Sequence, residues 1–177
     1  DEVLRNIGAR QRQLGIQTAM LEHLSSGYQQ LHQDLKVGNV SAWQQFALAY
    51  PGGADGVYFS VDVANPSAPV VRMTSQSTYF AQYFKYVRQG AVRVGATTSD
   101  DAFDPVAFVN ADGRQVVVVS AGRGGTFDVA GLADGAYEVS YTTGAAANAR
   151  GGTASVSGGG ALRVQMPAPG VVTIAAQ

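Results

Sequence analysis

The feature that most constrains this sequence is a change of residue pattern at Gly90. Before Gly90, apolar residues recur at helical spacing and alternate with short apolar runs. After Gly90, short apolar or alternating runs are separated by turn residues at intervals of roughly 8–12 residues, which is typical of an antiparallel β-sandwich. The sequence therefore predicts an α/β part over residues 1–90, followed by an all-β part over residues 91–177.

The α/β part alternates helices and strands with short connections. That order is typical of β/α units whose strands pair in parallel. The apolar run at 16–21 suits a strand that is covered on both faces. We predict a helix at 2–14, a strand at 16–21, a helix from 28 to the Gly38-Asn39 pair and a strand at 40–50.

Residues 51–76 are rich in Gly, Pro, Ser and Asp. They predict a long loop with one strand at 57–63. A helix is predicted next, at 79–89, because its apolar residues fall on one helical stripe. The residues of that stripe are Tyr79, Phe80, Tyr83, Phe84 and Val87.

Eight short strands are predicted after Gly90. Residues 110–113 (NADG) have the composition of a hairpin turn, and the Gly/Ala-rich residues 144–152 predict a flexible loop. The strands are predicted at 92–97, 106–110, 115–120, 126–129, 137–142, 154–157, 162–165 and 171–175.

Composition and charge exclude several classes of protein. Only 14% of the residues are charged and the net charge is −1, so the sequence predicts no nucleic-acid partner. The lack of cysteine excludes disulfides and zinc–thiolate sites. No run of about 18 apolar residues is present, so no membrane span is predicted. Because Asp1-Glu2 already begin the first helix, we expect a further segment upstream.

Glu22 is the candidate catalytic residue. It ends an apolar strand, and in an α/β barrel the carboxyl ends of the strands form the mouth where catalytic groups gather. A carboxylate there costs desolvation unless it has partners or a role. The other two glutamates fit ordinary positions, Glu2 in the first turn of a helix and Glu138 on a solvent-facing strand position. A solvated strand end explains Glu22 equally well, so both interpretations stay open.

Other side chains are candidates for a sugar-binding pocket. His23 adjoins the candidate glutamate, although a single His is more often a plain polar residue. Trp43, the only tryptophan, could stack on the apolar face of a sugar ring, while its mid-strand position favours core packing. Tyr50 or Tyr58 could stack in the same way. His32 is expected to face solvent, and no set of residues has the spacing of metal ligands.

Four segments resemble glycoside hydrolase family 30, in the order found in that family. Residues 79–94 (YFAQYFKYVRQGAVRV) resemble the passage from the last barrel helix into the C-terminal β-sandwich. Residues 107–113 (AFVNADG), followed by the valines at 116–119, resemble a hairpin of that sandwich. Residues 20–23 (MLEH) resemble the end of barrel strand seven, and residues 34–43 (DLKVGNVSAW) resemble the passage into strand eight.

The resemblance implies the fold of a barrel enzyme. Residues 1–90 would supply the last two β/α units of a TIM barrel, and residues 91–177 an antiparallel β-sandwich of about eight strands. The remaining barrel strands would belong to a missing N-terminal segment. An exported or extracytoplasmic location is expected.

The resemblance also implies a retaining glycosidase that acts on β-linked oligo- or polysaccharides, with no cofactor and no metal. Glu22 matches the family's nucleophile, and His23, Trp43 and Tyr50 would contact the substrate. The acid/base glutamate would lie on barrel strand four, outside this chain, with the two carboxyl groups about 5–5.5 Å apart. By itself the chain should therefore be inactive.

The alternative is a non-catalytic module, in which the sandwich binds carbohydrate or serves as a scaffold. A binding platform of this kind needs two or three aromatic side chains on one exposed face. The candidates are Tyr137, Tyr141 and Phe127, although core packing explains these residues equally well.

Overall fold

The computed structural model describes residues 2–23, 26–51 and 58–177. Within these ranges it leaves out four side chains, those of Glu22, His23, Tyr50 and Pro51. The described residues form mostly sheet, together with three helices.

The chain divides into two compact units, Asp1–Ser77 and Thr78–Gln177. The helices are α1 (Glu2–Leu14), α2 (Tyr28–Lys36) and α3 (Ser75–Phe84). The strands of the first unit are β1 (Ala19–His23), β2 (Ala42–Gln45), β3 (Ala49–Pro51), β4 (Phe59–Asp62) and β5 (Val70–Met73). The strands of the second unit are β6 (Val92–Val94), β7 (Phe103–Val109), β8 (Gln115–Ala121), β9 (Gly125–Val129), β10 (Gly135–Thr143), β11 (Ala149–Val156), β12 (Leu162–Met166) and β13 (Gly170–Ala176).

Strands β1 and β2 pair in parallel and are joined through helix α2, which is the β/α order that the sequence predicts. Helix α1 has its predicted bounds. Gly15 follows it with φ 63°, a left-handed conformation that ends many helices and favours glycine. Strand β1 begins at Ala19 instead of residue 16, so the apolar run marks the strand but not its start.

The segment after β2 differs from the prediction of one strand at 40–50. The chain bends after Gln45, and β3 joins a separate sheet in the order β3-β4-β5. β3 pairs in parallel with β4, and β4 pairs antiparallel with β5. β4 lies within the strand predicted at 57–63. The sequence does not predict β5, because all four of its residues are exposed and show no polar–apolar alternation.

Helix α3 begins and ends earlier than the helix predicted at 79–89. Thr74 caps its first turn, since the N–H of Ser77 donates to Thr74 Oγ1 over 3.4 Å. The helix ends at Phe84, and Val87 of the predicted stripe lies beyond it. The aromatic spacing identified the helix, whereas the cap, which is a local hydrogen bond, sets where it starts.

All eight strands predicted after Gly90 are present, as β6–β13. Six of them form an antiparallel sheet in the order β11-β10-β13-β8-β7-β6, and β12 pairs antiparallel with β9. The main core lies between these two sheets. It contains Phe103, Ala107, Val117, Val119, Tyr137, Val139, Val172 and Ile174 from the large sheet, and Leu162, Val164 and Met166 from the pair.

Helix α3 lies against the opposite face of the six-stranded sheet. Val118 and Thr173 alternate with the core residues along β8 and β13, and both are fully buried. Thr173 Oγ1 donates to the carbonyl oxygen of Gln82 on the helix over 2.6 Å. The central strands β8 and β13 of the six-stranded sheet are therefore buried on both faces.

Gln82 fixes this helix to the sheet. Its side chain is fully buried, and Nε2 lies 3.1–3.2 Å from oxygens of Ser140, Thr142 and Asn148. Thr142 Oγ1 in turn donates to the carbonyl oxygen of Thr78 over 3.0 Å. These contacts agree with the placement of most of α3 in the second unit, Thr78–Gln177.

The Gly/Ala-rich tract at 144–152 is only partly a loop. Strand β11 begins at Ala149 and pairs with β10 at the edge of the large sheet. The register shifts at Gly151, where an added Cβ would lie 2.8 Å from Val139 Cγ1. The glycine allows a bulge in a position that a larger residue cannot occupy. The prediction of a flexible loop was wrong for residues 149–152, because glycine there serves close packing.

Tyr137 fastens the loop before β10 to the sheet. Its side chain is 1% exposed, and its hydroxyl lies 2.9 Å from the carbonyl oxygen of Ala133 and 3.0 Å from Gln115 Oε1. Gln115 Oε1 also accepts the N–H of Ala133 over 2.7 Å. Burial raises the pKa of the Tyr137 phenol above its usual value of 10.0, because the charged form would lose its solvation.

The substitution Tyr137→Phe should lower the free energy of unfolding by about 1–2 kcal/mol at neutral pH, because the hydroxyl's hydrogen bonding to Ala133 and Gln115 is lost. Since the folded-state pKa is raised, the phenol's contribution is fully present below pH 10.0 and is lost as the pH rises through the folded value. The difference in stability between wild type and variant should therefore narrow in strong alkali. Urea unfolding at neutral and alkaline pH measures both effects.

The matched control for this prediction is Tyr141→Phe, on the same strand and only half-buried. It should lose less stability than Tyr137→Phe at neutral pH. A difference between wild type and Tyr137→Phe that stays constant across the alkaline range would contradict the prediction.

Candidate functional site

The carboxyl ends of β1 and β2 lie at one edge of the parallel pair, and we call this the carboxyl edge. Glu22 is the second-last residue of β1, and His23 ends that strand. His23 is in register with Gln45, the last residue of β2, after a shift in register that begins beyond Met20. The side chains of Glu22 and His23 are outside the described part, so the structure places the candidate nucleophile by its backbone alone.

Gln45 ties together the segments that meet at the carboxyl edge. Its side chain is buried, and Nε2 donates to the carbonyl oxygen of Ser26 in the connection that follows β1. The phenol of Tyr58, just before β4, hydrogen-bonds to the backbone of Gln45. Burial raises the pKa of the Tyr58 phenol, and the hydrogen bond opposes that shift to a smaller extent.

Trp43 is held against helix α2. Its indole N–H donates to Asp34 Oδ2 over 2.8 Å, and Gln30 Nε2 donates to Asp34 Oδ1 over 2.7 Å. Asp34 is fully buried and Trp43 is half-buried. This contact directs the indole toward the helix, which fits the core-packing interpretation. Its substrate-binding role stays a prediction.

Tyr50 was predicted to contact the substrate, and His32 was predicted to face solvent. Tyr50 lies on β3 opposite Ser60, and its side chain is outside the described part. His32 is 1% exposed, so the expectation that it faces solvent was wrong. Helix α2 buries His32 together with its neighbour Leu31, because the helix packs a broader face than the apolar spacing alone indicates.

The face of the parallel pair away from α2 is exposed in the described residues. Met20 is paired with Trp43 and shares the face that the helix covers. Leu21 is the next residue, so its side chain points to the other face, where it is 53% exposed. Phe46, directly after β2 at the carboxyl edge, is 59% exposed. Phe46 is not among the predicted site residues, because the residue pattern predicts it inside a strand at 40–50.

The second unit contains an open cavity of about 660 Å³ between β7, β8 and β9. The three aromatic residues considered for a carbohydrate platform do not form one. Tyr137 is buried, and Tyr141 and Phe127 pack against the core. Phe127 also contacts Phe103, with 4.7 Å between the ring centroids. These contacts favour the core-packing interpretation of all three.

The described ranges contain no candidate metal centre and no candidate membrane span. No group of three or more His, Asp or Glu side chains there could hold a metal ion. No helix there has the length and hydropathy needed to cross a membrane.

Residues 90–150 match the family model described as the glycosyl hydrolase family 30 β-sandwich domain. Residues 90–150 are thus similar to the family 30 β-sandwich. This confirms the resemblance drawn from the motifs, and the match contains the turn at 110–113 and the valines that follow it. No curated protein matches the sequence.

Solved structures of family 30 enzymes share this fold. A family 30 endoxylanase from Clostridium papyrosolvens aligns with 98% of this chain at a TM-score of 0.76 and 17% identity. A subfamily 8 xylanase from Clostridium acetobutylicum aligns with 94% at 0.73 and 19% identity. The catalytic domain of xylanase C from Talaromyces cellulolyticus aligns with 83% at 0.68 and 21% identity.

The alignments cover 46%, 44% and 33% of those three proteins, respectively, so this chain spans less than half of each. The two Clostridium alignments cover nearly the whole chain, including the segment that precedes residue 90. At these identities the likeness establishes the fold.

The contact between Trp43 and Asp34 can be tested by fluorescence, since Trp43 is the only tryptophan. Asp34→Ala removes the acceptor of the indole N–H and should lower the free energy of unfolding by about 1–3 kcal/mol. The emission of the folded protein should move to longer wavelength, because the indole gains solvent. Exposed Asp101 gives the matched control, and Asp101→Ala should change stability by less than about 0.5 kcal/mol. Unchanged emission in Asp34→Ala would contradict the assigned contact.

Proposed function

We propose that this chain is the carboxyl-terminal part of a retaining glycoside hydrolase that acts on β-linked oligo- or polysaccharides. The observation that carries the proposal is the family 30 β-sandwich at 90–150, preceded in the same chain by a parallel β/α unit whose first strand bears Glu22. In a barrel enzyme the carboxyl ends of the strands carry the catalytic groups. Glu22 stands at such an end.

The exposed face of the β1–β2 pair supports a place in a larger barrel. Parallel sheets are normally covered on both faces. Here α2 covers one face, while Leu21 on the other is 53% exposed. In the described residues, β1 and β2 pair only with each other, so each has an open edge. Further parallel strands along these edges would close a barrel and bury the exposed face.

Glu22 would act as the nucleophile. Its carboxylate would attack the anomeric carbon and form a glycosyl-enzyme intermediate, which water then hydrolyses with overall retention. The acid/base carboxyl group would come from a strand outside this chain, about 5–5.5 Å from Glu22. On this proposal the chain alone lacks half of the catalytic pair and is inactive.

The carboxyl edge also offers groups for binding a sugar. We include His23 for its position at the end of β1, Tyr50 for its position on β3, and Trp43, which lies two residues before the end of β2. Phe46 joins them because its ring is exposed directly after β2, and an exposed aromatic face suits the apolar face of a sugar. We also propose an extracytoplasmic location, because a polysaccharide substrate would be too large to enter a cell.

The incomplete barrel predicts a difference between this chain and the intact protein. The chain of 177 residues should bind a hydrophobic dye such as anilinonaphthalene sulfonate, because apolar side chains of its first unit are exposed. The protein extended by its upstream segment should bind little dye. Fluorescence titration of the two proteins measures the difference. Equal and weak dye binding would contradict the barrel proposal.

The nucleophile is tested in the extended protein. Glu22→Ala should lower turnover by several orders of magnitude, on the order of 5 kcal/mol or more of transition-state stabilisation. Azide should restore part of the turnover and give a glycosyl azide of inverted configuration, because a small anion can enter the space left by the carboxylate. Hydrolysis of an aryl β-glycoside, with product analysis by NMR, measures both results.

Glu138→Ala is the matched control, since Glu138 lies on β10 in the sandwich. That variant should keep its turnover. If Glu22→Ala keeps more than about a tenth of wild-type turnover, a loss below about 1.4 kcal/mol, Glu22 is not the nucleophile.

A further inference from the structure

Tyr58 is held from two sides in the first unit. Its carbonyl oxygen accepts the N–H of Thr74 over 3.0 Å and the hydroxyl of Ser77 over 2.5 Å, both at the start of α3. Its phenol hydrogen-bonds to the backbone of Gln45 at the end of β2. The side chain is half-buried, so part of it remains accessible. The backbone of Tyr58 is therefore anchored at the start of α3, and its phenol lies against the end of β2.

The position of Tyr58 relates it to Glu22. Gln45 is in register with His23, the residue that follows Glu22 on the neighbouring strand. Adjacent strands lie about 4.8 Å apart. The phenol of Tyr58 thus contacts β2 at the carboxyl edge, and β2 is the strand next to the one that carries Glu22.

The chemistry of a phenol suits contact with a sugar. A phenol oxygen that accepts a backbone N–H can also donate its own proton to a second oxygen. Burial raises the pKa of Tyr58, with a smaller opposing effect from the Gln45 backbone, so the phenol keeps its proton at neutral and acidic pH. Sugar hydroxyl oxygens are acceptors of the matching kind.

We propose that Tyr58 is a substrate-positioning residue whose phenol donates a hydrogen bond to a hydroxyl of the sugar unit bound beside Glu22. This inference rests on the proposed hydrolase function and adds a contact to it. Because the residue is anchored by α3 and β2, it can fix the sugar ring without first being ordered itself. Such preorganisation reduces the entropy that binding costs.

The test is Tyr58→Phe in the protein extended by its upstream segment, with Tyr141→Phe in the sandwich as the matched control. The substrate is the aryl β-glycoside that the wild type hydrolyses fastest. Tyr58→Phe should lower kcat/KM about tenfold, the loss of one hydrogen bond in the transition state. The control should keep the wild-type value. Circular dichroism and thermal unfolding establish the folded fraction of each variant.

Substrates that lack one hydroxyl at a time separate a sugar contact from a structural role. One member of the series should be hydrolysed equally well by wild type and Tyr58→Phe. That substrate lacks the hydroxyl that accepts the hydrogen bond of the phenol, so removing the phenol has no further effect. If every member keeps the tenfold difference, or if kcat/KM per folded enzyme is unchanged, the inference is overturned. An active wild type with an inactive Glu22→Ala and an unimpaired Tyr58→Phe overturns only the role of Tyr58. A wild type without activity on any β-glycoside overturns the proposed function and this inference together.

Discussion

Both units are governed by the requirement that a β-sheet bury its apolar faces. The six-stranded sheet meets this requirement with its own neighbours in the chain. Val172 and Val118, on opposite faces, are both fully buried, one under the β9–β12 pair and the other on the side of α3. The β1–β2 pair does not meet it in the described residues, since Leu21 faces outward. This contrast is the physical basis of the proposal that the first unit belongs to a larger barrel.

The sandwich strands could be predicted because their signals are local. Turn residues stand between the strands, and Gly113 adopts φ 83° in the hairpin that follows β7. Elements that depend on partners far along the chain were harder to predict. β5 exposes every residue and exists because β4 pairs with it. The glycines at 151 and 152 resemble a loop by composition, yet pairing with β10 makes them part of a strand.

The candidate site was predictable as a position but not as an arrangement of side chains. An apolar run that ends in a carboxylate was enough to place Glu22 near the end of a strand, where the structure has it. The direction of Trp43 depends on the register between β1 and β2 and on the buried Asp34, neither of which appears in a local pattern. Similarly, Phe46 becomes exposed only because the chain bends after Gln45.

The two edge strands of the six-stranded sheet affect the tendency of the protein to aggregate at high concentration. One end is β11, whose bulge at Gly151 disturbs the row of backbone groups, and the other is β6, which has three residues. A bulged strand and a very short strand are both poor templates for pairing with another chain. The sheet therefore resists growth into intermolecular polymers.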